Sequence, residues 1–148
     1  MVEDKREAIL VALLAVGKAL FKNENAVRNE IDLPERRRPA FILLDGDESA
    51  DEGGFGRNRP ANGPIIMRMT PEVFILLGAK SPDVGSALNV WRAKVIKAVT
   101  NDPTLVSLTY QGDIRYEGMA TGLASGRTIE GEAGLSFSLA YVLRPNAL

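Results

Sequence analysis

The 148-residue chain is 45% apolar and 25% charged, a balance that suits one compact domain over 1–148 with a single continuous core. Its 18 Lys and Arg against 19 Asp and Glu leave a formal net charge of −1, too weak a field to draw nucleic acid or a membrane surface by charge. Cysteine and histidine are both absent, which excludes disulfides, thiolate nucleophiles, Cys/His zinc sites, Ser-His-Asp and Cys-His catalysis and any imidazole pH switch.

Met1 is followed by Glu3 and Asp4, and every apolar run is broken well before the about 18 residues a span needs. The chain therefore reads as neither a signal-bearing precursor nor a membrane span. From Glu3 to Phe21 the residues Ile9, Leu13, Val16 and Leu20 recur at helical spacing, with acids in the first turn and Lys18 and Lys22 at the end, as the helix dipole favours. Residues 23–38 are polar and read as connection, apart from Ala26-Val27-Arg28, which has the makings of a brief edge strand. Ala40-Phe41-Ile42-Leu43-Leu44 is an apolar run too short for a helix and reads as a strand ending at Asp45-Gly46.

Residues 45–63 hold Asp45, Asp47, Glu48, Asp51 and Glu52, five glycines and the pair Arg57 and Arg59, and read as a long flexible loop. The alternation from Ile65 to Thr70 resumes after Pro71 as Val73 to Leu77, one bent strand. Leu88, Trp91, Val95 and Val99 mark a second helix over 84–100, capped by Ser81 or Asp83 and stopped by Asn101-Asp102-Pro103. The last third reads as β structure: a start at 105–110, a strand over 113–121, a turn region over 122–131, and a clear strand in which Leu135, Phe137, Leu139, Tyr141 and Leu143 alternate with Ser136, Ser138, Ala140 and Val142. The small, polar face of that strand is expected outside the core. The order α-β-β-α-β-β predicts an α+β fold, a small, mainly antiparallel sheet flanked by two main helices.

Candidate chemistry is sparse. The acidic cluster after Asp45 offers oxygen ligands for a hard cation, but its spacing fails the twelve-residue calcium loop, and no metal site is assigned. Gly53-Gly54-Phe55-Gly56-Arg57-Asn58-Arg59 precedes a strand rather than a helix, so it is no phosphate cradle. Phe55, Arg57 and Arg59 instead suit docking on a partner by stacking and bidentate pairing, and Arg36, Arg37 and Arg38 are a second basic candidate, partly neutralised by Glu30, Asp32 and Glu35. Trp91 reads as core, and the strand carboxylates Glu72, Glu117, Glu130 and Glu132 are not paired by any pattern. No catalytic residue and no cofactor is expected.

Several segments together resemble a known family. They are the N-terminal helix, Val27-Arg28-Asn29, the run Arg38-Pro39-Ala40-Phe41-Ile42-Leu43-Leu44-Asp45-Gly46-Asp47-Glu48, the Pro71 strand, the Trp-bearing helix ending Asp102-Pro103-Thr104-Leu105, and the closing strand Leu135 to Leu143. Over most of the chain they resemble the tail terminator (minor tail) proteins of long-tailed bacteriophages and related prophage particles. The resemblance implies a non-enzymatic virion subunit, made in the host bacterial cytoplasm, that assembles with itself as a ring, commonly of six. That ring would sit on the head-proximal end of the tail tube, end its polymerisation, and meet the head connector or neck protein. The alternatives are another head–tail connector or neck completion protein, and, from a different class, a small metal-dependent enzyme or ligand-binding module on the acidic loop.

Overall fold

The computed structural model describes residues 4–30, 35–51, 62–77, 83–121 and 131–148. The N-terminal periodicity becomes helix α1 (Lys5–Phe21), which starts where the Asp4 side chain accepts from the Arg6 backbone N–H. It buries Ile9, Leu10, Leu13, Val16, Gly17 and Phe21. A short 3-10 turn leads into strand β1 (Ala26–Arg28), and β2 (Ala40–Ala50) and β3 (Ile65–Leu76) follow. Helix α2 (Val84–Asn101) and the short α3 (Pro103–Leu108) precede β4 (Ile114–Thr121) and β5 (Glu132–Leu143).

The five strands form one sheet in the order β1-β2-β3-β5-β4, with β1 parallel to β2 and every other pairing antiparallel. The fold is α+β, and Ala26-Val27-Arg28 is the edge strand its composition allowed. One face of the sheet carries Phe41, Leu43, Val73, Ile75, Leu135, Phe137 and Leu139, all buried under the helices in one continuous core. A smaller cluster of Ala40, Ile42 and Leu76 lies on the other face. Trp91 packs against the main core, stacked on Phe21 at 4.3 Å between ring centroids. Among the described residues no helix is long and apolar enough to cross a membrane.

Three expectations need correction. The loop expected over 45–63 does not begin at Asp45, because β2 continues to Ala50 with Glu48, Ser49 and Ala50 paired to Met69, Arg68 and Met67. Backbone pairing to β3 carries that polar half, with one bulge between Leu44 and Asp47 opposite the Thr70-Pro71 bend, where Pro71 cannot join a ladder. Residues 52–61 lie outside the described residues. The segment expected to open the final β region is α3, because Asp102 accepts from the Leu105 backbone N–H at 3.0 Å and Pro103 occupies the first turn. Asp102→Ala is expected to cost about 1 kcal/mol, read as a lower thermal midpoint. Finally, Ser138 and Ala140 are buried although they face away from the helices.

The second helix, β3 as one bent strand and β5 all form as the periodicities predict. Asp83 sits at the N-cap position of α2 without a side-chain capping bond, while Ser81 and the turn at 122–130 fall outside the described residues.

Candidate functional site

Of the residues singled out for docking, Phe55, Arg57 and Arg59 lie outside the described residues. Arg36 and Arg37 end a 3-10 turn before β2, Arg38 follows it, and Arg36 is exposed. Arg37 is committed within the chain: its guanidinium donates to the Glu24 carbonyl oxygen, through Nε at 2.8 Å and also through Nη2, and so ties this turn to the one after α1.

The organised polar groups lie elsewhere, on both faces of the sheet. On the helix-covered face, Arg28 of β1 forks between two carboxylates. It donates to Asp45 through Nε at 2.7 Å and Nη2 at 2.9 Å, and to Glu7 of α1 through Nη1 at 2.8 Å and Nη2 at 2.9 Å. Arg6 donates to the Gly46 carbonyl oxygen at 2.9 Å, and the Tyr141 hydroxyl donates to Glu48 at 2.6 Å. Burial, followed by that bond to Glu48, raises the Tyr141 phenol. The network clamps the start of α1 to the β1–β2 edge and to the bulge.

On the opposite face Arg68 of β3 donates to Ser138 Oγ at 2.7 Å, to Asp113 at 2.7 Å and to Asp51 at 3.1 Å. Its side chain thus reaches the small-residue face of β5 at Ser138, which is only 2% exposed. Arg115 donates to the same Asp113 at 2.9 Å.

These pairings set an acid dependence. The Arg28 hydrogen bonds, outweighing burial, lower the Glu7 and Asp45 carboxyls; burial pushes Asp113 up, but the bonds and charges of Arg68 and Arg115 outweigh it and leave it lowered. Carboxylates lowered by folding contribute stability that is present above the unfolded-chain range of about pH 4 to 4.5 and is lost as the pH falls through their folded values. Arg28→Met is expected to flatten the fall of the thermal midpoint between about pH 5 and pH 3, checked by melting each variant across that range.

No family model matches the chain, and no curated protein matches it.

The geometry bears on the alternatives raised by composition. The acids once grouped as a candidate cation loop are divided: Asp45 is held by Arg28, Glu48 by Tyr141 and Arg6, and Asp51 by Arg68 on the other face. Among the described residues no group of three or more acids is gathered as a metal ligand set. Among the described residues, what remains open is backbone edge and helix surface. At one end of the sheet β4 is the edge strand. At the other, β1 covers β2 only at Phe41–Leu43, which leaves the outer edge of β2 beyond Asp45 without a paired strand among the described residues. On the outer side of α1, an apolar groove of about 630 Å³ runs between that helix and α3.

Sequence reasoning missed both arginine networks and this groove. Arg68 sits inside an otherwise alternating strand segment, a visible sign of a charge paired on a sheet face, whereas Arg28 ends a three-residue strand in a polar stretch and carries no such sign. The groove has a plainer sign, ten consecutive uncharged residues from Ala8 to Gly17, which is nearly three helical turns with no polar side.

Proposed function

We propose that this protein is a structural subunit of a long-tailed phage or prophage particle, a tail terminator that closes into a ring on the head-proximal end of the tail tube and stops its growth. The observation that carries the reading, beside the sequence resemblance, is that among the described residues the sheet ends in two unlike edges on opposite sides of one subunit, β4 and the outer half of β2. A ring needs a heterologous interface, two different surfaces of one copy that fit each other and close, and unpaired strand edges are ready templates for it. Ending a polymer is a task of shape and complementarity, and it asks for no nucleophile or cofactor.

The test is to add the purified protein to growing tail tubes made from the tube protein of the same particle, and to image them. A ring seated on one end of each tube, with elongation arrested, supports the proposal. Tubes that lengthen unchanged, with the protein bound instead to the portal or adaptor, would assign it to the head side of the neck.

A further inference from the structure

We infer that the outer face of α1 is a self-association surface, on which the α1 helices of two copies pack antiparallel about a two-fold axis. This inference goes beyond the ring reading and does not rest on it. The two long helices flank the same sheet face, yet their solvent sides differ. The exposed positions of α2 include Ser86, Asn89, Lys94 and Lys97, so that its one large exposed apolar side chain, Val90 at 54%, stands alone on a wet surface. α1 has no charge between Glu7 and Lys18, and its outward positions there are apolar: Val11 is 53% exposed, Ala15 is exposed and Ala8 is half-exposed. The groove they line is walled on its far side by Thr104 and Leu108 of α3.

The charge pattern along that face selects the occupant. It begins with Asp4 and Glu7, runs through Ala8, Val11, Ala15 and Ala19, and ends with Lys18 and Lys22. Two such helices side by side in the same direction would set acid on acid, lysine on lysine and dipole along dipole. Reversed, with the axis near residue 13, they set Asp4 opposite Lys22, Ala8 opposite Ala19 and Val11 opposite Ala15. Glu7 is already held by Arg28, so the cross-copy attraction falls mainly to Asp4 with Lys22 and Lys18. Alanine at the contact lets the axes approach to about 8 Å, and Val11 of each copy becomes the knob that enters the other's groove beside Leu108.

Sedimentation of the full chain tests the pairing, with Ala15→Glu as the disrupting variant. Ala15 is exposed, so the variant is expected to keep the wild-type circular dichroism while its dimer dissociation constant rises about 100-fold or more. Geometry has its own test, because the natural chain has no cysteine. In an antiparallel pair positions 8 and 19 lie nearly opposite, whereas like positions are about 15 Å apart along the axis. An equimolar mixture of Ala8→Cys and Ala19→Cys is therefore expected to cross-link under mild oxidation, and each variant alone is not. A wild-type chain that stays monomeric, an assembly unchanged by Ala15→Glu, or cross-links between like positions would each overturn the pairing. A ring that persists in Ala15→Glu while the two-fold pairs are lost supports the pairing and leaves the ring reading intact, because the sheet edges are untouched. Two-fold pairs that never cap a tube leave the pairing intact and count against the ring.

Discussion

Gly46→Ala is expected to destabilise the protein by about 2–4 kcal/mol, seen as a lower denaturant midpoint with an unchanged slope. Gly46 sits in the bulge of β2 at φ +69°, a left-handed conformation that an alanine adopts only under strain. Space adds to the cost, because a Cβ there would fall on the Thr70 carbonyl oxygen and close to Pro71, both backbone positions that cannot rotate away. The bulge also aims the Gly46 carbonyl at Arg6, so a shift that relieved the clash would break the bond that ties α1 to β2. If the variant proves as stable as the parent, the bulge is not the pinned junction described above.

Phe41→Ala is expected to cost about 3–5 kcal/mol. The ring is fully buried between α1 and the sheet, 5.6 Å from the Phe21 ring, which in turn stacks on Trp91. α1 approaches β2 so closely that a Cβ on Gly17 would lie 2.3 Å from a Phe41 ring carbon, so the helix rests directly on this side chain. Removing it leaves a cavity that neighbouring residues fill only by moving the helix away from its other contacts. Trp91 is the single tryptophan, so its emission during urea unfolding reads the change directly. Val90→Ala on the exposed side of α2 is the matched control, expected within about 0.5 kcal/mol of the parent.

The elements legible in the sequence are those whose burial is one-sided and regular. α1, α2, β3 and β5 announce themselves because apolar residues recur at 3.6 or 2, and a partner surface of any kind would select that pattern. The polar half of β2 does not, since Asp47, Glu48 and Ser49 are held by backbone pairing to β3 and composition carries no trace of it. α3 was legible in principle, because Asp102-Pro103 is a capping pair, but Leu105 to Leu108 is also good strand composition and only the observed cap bond decides.

The polar networks resist a sequence reading for another reason. Their members are brought together from afar, Arg28 and Asp45 from 17 positions apart and Tyr141 and Glu48 from 93, and no local spacing encodes such distances. The burial of Ser138 is not legible because the residue that bonds to it, Arg68, belongs to another strand. The outer face of α1 is readable from its uncharged stretch, Ala8 to Gly17, which leaves apolar residues on every side of the helix.

The proposed capping of a tube by identical copies is tested most directly by particles assembled without the protein. Electron micrographs of such particles are predicted to show tails of uncontrolled length with no heads attached. Tails of normal length joined to filled heads would contradict the account.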